Sequence, residues 1–127
     1  MSFKKYKIVF CLFPFFLISC YEQERNCKDY KTGNFEFSRE IEGQIETSYF
    51  ERNDSLQIET FRGKKDTSSV RWVNDCEFIL KKINPKSMSE KNAVQIKILT
   101  TSEKGYTFEY NFVGQTKKQR GTVTKKY

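Results

Sequence analysis

The sequence predicts an all-β protein: an eight-strand antiparallel meander closed into an up-and-down barrel. Three observations carry this. Beyond residue 30 the side chains alternate with a period of two, and no stretch shows the 3.6-residue period of an amphipathic helix. The alternating runs number eight, at roughly ten-residue spacing, and short turns join most of them. An open meander of that size would leave two exposed strand edges, which closure removes. The same pattern would also permit a two-layer β-sandwich.

The strands follow in order. Phe35 and Phe37 flank Glu36 in the first, after Thr32-Gly33. In the second, Gly43–Arg52, Ile45, Thr47 and Tyr49 share one face and Glu46 and Ser48 the other. Asn53-Asp54 is a turn pair, since both side chains bond readily to nearby backbone N–H groups. Ser55–Arg62 sets Leu56, Ile58 and Thr60 against Gln57 and Glu59. Gly63–Asp66 reads as a polar loop before Thr67–Asn74, which places Val70 and Trp72 together. Asp75 can turn the chain or break the ladder, and Cys76–Ile83 puts Cys76, Phe78 and Leu80 on one face. Pro85 disfavours a central strand over Asn84–Lys91, which reads as a long loop where Ser87 and Glu90 have the spacing to cap a single helical turn. Ala93–Thr101 resumes, with Val94, Ile96 and Ile98 inward. After the turn Glu103-Lys104-Gly105 comes the clearest strand, Tyr106–Val113. Tyr106, Phe108, Tyr110 and Phe112 lie on one face, with Thr107, Glu109 and Asn111 on the other. The basic loop Gly114–Gln119 leads to a last strand, Arg120–Lys126.

The first 19 residues have a different character. Lys4, Lys5 and Lys7 precede an apolar run from Ile8 to Ile18, interrupted by Pro14. Eleven residues are too few for a bilayer-spanning helix, which needs about 20. The run therefore reads as the core of an export signal. Leu17-Ile18-Ser19-Cys20 resembles a lipobox, in which the cysteine becomes the new first residue and receives acyl chains; the alternative is an export signal that is uncleaved or cut elsewhere. Several acyl chains hold a protein stably to a membrane, whereas one does so only marginally. The expected organisation is a signal over residues 1–19, an anchor and polar tether over 20–29, and a β domain over 30–127. Cleavage ahead of Cys20 leaves 108 of the 127 residues. That is one domain of ordinary size, with a modest core.

The net charge of +7 falls to +4 when the three signal lysines leave, a mildly basic balance. Of the four cysteines, Cys11 lies in the apolar run and Cys20 is the expected lipid site. Cys27 and Cys76 remain, an even pair in an exported chain, which reads as a disulfide. The alternative is two buried thiols. Paired, they would close a loop of roughly 50 residues and contribute about 4 kcal/mol in the chain-entropy picture.

Four runs carry a resemblance: Arg52-Asn53-Asp54-Ser55, Asn84-Pro85-Lys86-Ser87-Met88, Lys97-Ile98-Leu99-Thr100-Thr101 and Phe108-Glu109-Tyr110-Asn111. On these the chain resembles a group of short flavobacterial lipoproteins, over nearly all of its mature length. Some members of that group carry a DNA topoisomerase IV label. A topoisomerase subunit is several times longer and works on cytoplasmic DNA, so an exported chain of this size does not fit it. In strand count, and locally from Val70 to Phe78 through Trp72 and Asp75-Cys76, the chain is also similar to small lipocalin-like lipoproteins of Bacteroidetes. The resemblance implies a lipocalin-like barrel in the cell envelope and no known activity, so no functional residue transfers from it. Tyr21 in place of aspartate beside the anchor favours the outer membrane by the enterobacterial sorting pattern. Glu22 and Glu24 faintly resemble the acidic surface-export signal of Bacteroidetes lipoproteins, and the leaflet stays open.

Candidate chemistry is sparse. The chain has no histidine, which removes histidine general bases and Ser-His or Cys-His pairs. A zinc site would need more cysteines than remain, and no glycine-rich phosphate loop occurs, so neither metal nor cofactor is expected. Glu36, Glu46, Glu59, Asp66, Asp75, Glu77 and Glu109 are available for acid–base work, but the sequence does not say which of them meet; solvated outer charges are the plainer reading. No catalysis is expected. The binding candidates are Trp72 with the aromatic face Tyr106, Phe108, Tyr110 and Phe112, joined by Phe35 and Phe37, around a small apolar or amphipathic ligand. A filled core is the competing reading, and a cavity of several hundred Å³ behind this face would decide between them. The basic residues Lys64-Lys65, Lys117-Lys118, Arg120 and Lys125-Lys126 suggest an envelope interaction surface instead, or simply a charged edge. Export and the interleaved acids argue against nucleic acid as a partner.

Overall fold

A computed structural model describes residues 25–126. The expected signal, the lipid site Cys20 and the first part of the tether lie outside the described residues. Eight strands run β1 Gly33–Ile41, β2 Gln44–Arg52, β3 Leu56–Phe61, β4 Lys64–Asn74, β5 Glu77–Lys82, β6 Val94–Thr101, β7 Gly105–Phe112 and β8 Gln119–Lys126. Each pairs antiparallel with the next, and β8 returns to β1, setting Asn34–Phe37 against Val123–Lys126. The barrel is closed, so the sandwich alternative is not adopted.

Two hairpins are tighter than the sequence suggests. Arg62 and Gly63 both have positive φ, 49° and 75°, and they alone connect β3 to β4. That is the backbone twist a two-residue hairpin requires. The expected loop Gly63–Asp66 is therefore corrected: Lys64, Lys65 and Asp66 are strand residues, opposite Phe61, Thr60 and Glu59. Glu42-Gly43 turns β1 into β2 in the same way, so β2 begins after Gly43 rather than at it. The segment between β5 and β6 holds one 3₁₀ turn, Ser89–Lys91. The Glu90 N–H donates to Ser87 Oγ at 3.3 Å, while the Glu90 carboxylate accepts the Lys86 N–H at 2.6 Å.

The two ends of the barrel differ. One end gathers the N-terminal 3₁₀ turn Cys27–Tyr30, the turns after β2, β4 and β6, and the end of β8. Cys27 is disulfide-bonded to Cys76, which ties that 3₁₀ turn to the β4–β5 turn with Cα atoms 5.2 Å apart. Cys76 thus sits just ahead of β5 rather than inside it. Buried residues concentrate here: Tyr30, Phe35, Val70, Phe78, Ile98 and Tyr106. The other end carries the two tight hairpins, the segment from residue 83 to 93 and the β7–β8 connection.

Strand parity holds one surprise. In β2 the face that turns inward is that of Ser48, Phe50 and Arg52, leaving Ile45 79% and Tyr49 53% exposed. In β3 it is the Gln57 and Glu59 face, placed by the pairs Arg52↔Gln57 and Phe50↔Glu59. Phe50 stacks on Phe35 with ring centroids 5.1 Å apart, and the Arg52 Nε–H donates to the Lys31 carbonyl at 3.1 Å. Those contacts fix the register, and a one-residue slip would expel both side chains from the interior.

Candidate functional site

Between the packed end and the open end lies a cavity of about 370 Å³. Its two walls come from different halves of the barrel. Strands β5 to β7 supply an apolar wall that includes Phe78, Leu80, Ile96, Phe108 and Tyr110. Strands β2 to β4 supply a polar wall of Ser48, Gln57, Glu59 and Ser68. Phe112, 42% exposed, stands at the mouth.

Arg52 forms the floor. It is 2% exposed, and its guanidinium donates to the Tyr30 carbonyl, to Gln57 Oε1 at 3.1 Å and to the Tyr106 hydroxyl at 3.3 Å from both Nη atoms. Aromatic faces surround it, with Cζ 4.7 Å from the Phe35 ring centroid and 4.6 Å from that of Phe78. Ring quadrupoles stabilise a cation that has left water. Burial raises the Tyr106 hydroxyl above its ordinary range, with the Arg52 charge working the other way. The hydroxyl stays protonated at neutral pH.

The rim is charged. The Lys82 ammonium lies 3.0 Å from Glu90 and 3.6 Å from Asp66. Burial works against its charge, but those two carboxylates outweigh it and hold the ammonium above its usual range. Glu59 behaves differently. Burial pushes its carboxyl up, Arg39 and Lys82 oppose this, and Asp66 across the strand pair adds to it.

Of the aromatic face singled out in the sequence, Tyr106, Phe108, Tyr110 and Phe112 all line the cavity, and so does Phe37. Trp72 does not. Its ring packs 4.5 Å from Phe78 at the closed end, below Lys31, and its buried Nε1–H has no hydrogen-bond partner among the described residues. Phe35 likewise belongs to the packed end. The polar half of the site is what sequence reasoning missed. The sequence offered only a divided signal there: Phe50 shares a face with Ser48 and Arg52, while Ile45 and Tyr49 share the opposite one.

Six of the seven candidate carboxylates do not line the cavity and stand in ion pairs: Glu36 with Lys126, Glu46 with Arg62, Asp66 with the rim residue Lys82, Asp75 with Lys31, Glu77 with Lys97 and Glu109 with Lys118. Glu59 alone of them lines the cavity. Of the basic outer residues, Lys118 pairs with Glu109 and Lys126 with Glu36. Among the described residues, no three side chains of the metal-ligating types come together. No family model matches this chain, and neither a curated protein nor a solved structure does.

Proposed function

We propose that this protein is a lipid-anchored, non-catalytic binding protein of the cell envelope, held to the outer membrane, whose barrel carries a small amphipathic molecule. The observation that supports binding is the cavity itself, about 370 Å³ with one apolar and one polar wall. Its size falls in the range of small-molecule sites, which are mostly apolar with a few placed polar groups. Polar residues turned into a barrel are costly unless water or a ligand meets them.

The anchor reading rests on Leu17–Cys20 and the basic, short apolar segment before it. The described chain begins at Arg25, next to the closed end, so a tether to Cys20 would leave the mouth facing away from its attachment point. The non-catalytic reading rests on the absence of histidine from the chain and on the pairing of its carboxylates in ion pairs.

Native mass spectrometry of the protein purified from its own host tests both halves. The expected spectrum shows acyl chains on Cys20, lost in Cys20→Ser, and a small molecule that leaves on denaturation. An unmodified Cys20 refutes the anchor. A protein that always arrives empty, and that takes up no apolar probe, refutes binding.

A further inference from the structure

We propose that the floor of the cavity is an anion site, which takes the carboxylate of a small amphiphile head-first and lets its apolar chain run up the β5–β7 wall to the mouth. This rests on the cavity being a ligand site, as proposed above.

The first observation is an uncompensated charge. Buried charges are ordinarily paired with an opposite charge. Arg52 takes part in none of the ion pairs among the described residues, all of which lie on the outside or at the rim. Two backbone carbonyls, an amide oxygen, a hydroxyl and ring faces solvate it. These are dipoles and quadrupoles, so no carboxylate touches the guanidinium and its charge is left without a contacting counter-ion.

The second observation is a set of unused donors beside that charge. Arg52 donates to the Gln57 amide oxygen, which fixes the amide's orientation and turns its nitrogen away. Gln57 is 7% exposed, and that nitrogen, with two N–H groups, has no partner among the described residues. The Tyr106 hydroxyl accepts from both Arg52 Nη atoms and still has its own proton to give. Both side chains line the cavity and meet the same Arg52 nitrogen, Nη1. The guanidinium's five N–H groups are all engaged, so a bound anion would sense its charge through these two neighbours. Two unused donors on side chains that meet one cationic nitrogen suit the two oxygens of a carboxylate.

Glu59 tunes the site. It lies one pleat above Gln57 on β3, about 7 Å along the strand, and lines the same cavity. An ionised Glu59 repels a carboxylate head at the floor; the burial that keeps its carboxyl toward the neutral form reduces that repulsion.

The test displaces the neutral probe N-phenyl-1-naphthylamine from the full chain with decanoate or with decan-1-ol, which share a tail and differ in the head. Decanoate is expected to compete at least about tenfold better, the scale of a hydrogen bond to a charged group. Tyr106→Phe and Gln57→Leu, which keep much of the side-chain volume, should each remove most of that preference, weakening decanoate far more than decan-1-ol. Glu59→Gln should raise the preference for decanoate over decan-1-ol about tenfold. Equal competition by the two ligands in the wild type overturns the anion floor while the cavity reading stands. Variants that weaken both ligands alike also overturn it. A probe that never binds overturns the cavity reading itself.

Discussion

The two ends of this barrel are built from the same eight strands and have opposite contents. At the closed end Tyr30, Phe35, Phe78, Ile98 and Tyr106 crowd around Arg52, and the Cys27–Cys76 bond locks the N-terminal 3₁₀ turn over them. Two residues further along the same strands, Phe37, Leu80, Ile96 and Phe108 face a void. Eight strands enclose a space that side chains just fill or that holds one small ligand. Here the volume of the inward residues sets the outcome level by level. Aromatics on β1, β4, β5 and β7, capped by a turn from outside the sheet, fill one level. Serines and a glutamate on β2, β3 and β4 leave the next one hollow.

Replacing Arg52 should break this contrast most severely. Exchanging a buried ion pair for apolar residues is often harmless, because both charges leave together. The partners of Arg52 are instead the carbonyls of Tyr30 and Lys31, the Gln57 amide and the Tyr106 hydroxyl. Arg52→Leu strands all of them in the interior. The expected cost is about 3–5 kcal/mol of unfolding free energy, read from urea denaturation at constant m. A loss under about 1 kcal/mol would mean that water reaches the closed end and solvates those groups.

A matched pair on β6 tests the contrast more directly. Ile98 is fully buried at the closed end, and Ile96, two residues away on the same face, borders the cavity. Ile98→Ala should cost about 3–4 kcal/mol, because its neighbours cannot collapse onto the gap, whereas Ile96→Ala enlarges an existing void and should cost about 1 kcal/mol. For a domain of this size the difference corresponds to roughly 10 °C or more in melting temperature. Equal losses would show an interior packed from end to end.

How far the sequence reveals this contrast depends on the strand. In β7 every inward residue from Tyr106 to Phe112 is aromatic, so face and period are both plain. The closed meander is legible too, because turn residues and alternation recur at even intervals. The Cys27–Cys76 bond is legible from an even pair once Cys11 and Cys20 are set aside. In β2 and β3, Ile45, Tyr49, Leu56 and Ile58 lie on the outer face while Ser48, Gln57 and Glu59 point in, since a cavity reverses the usual rule that polarity marks the surface. Trp72 shows the converse: expected with the aromatic lining, its ring packs instead on Phe78 and becomes part of the plug. The hairpin at Arg62-Gly63 was hidden behind Lys64 and Lys65, whose charge suggests a loop although strand edges carry lysine readily.

The smallest expected effect belongs to Glu59, and its sign is informative. Burial raises its carboxyl in the folded protein above the ordinary value of 4.5. Below that value both the folded and the unfolded chain hold the proton, and Glu59 contributes no pH dependence. As pH climbs above it, the unfolded chain ionises first, and the folded state is penalised until pH passes the raised folded value; beyond that the penalty is constant. Glu59→Gln removes the charge, so the variant should match the wild type near pH 4 and become the more stable of the two toward pH 7, by under about 1 kcal/mol. Glu46, Asp75 and Glu90 are lowered by Arg62, by Lys31 and by the Lys86 N–H, and so favour the folded state in the opposite sense, losing that contribution as pH falls. They are common to both proteins and cancel in the difference. Melting temperatures of the pair across pH 4 to 8 therefore isolate the polar wall: a gap that opens with rising pH marks Glu59 as facing a poorly solvated cavity, and a constant gap would place it in open water at the mouth.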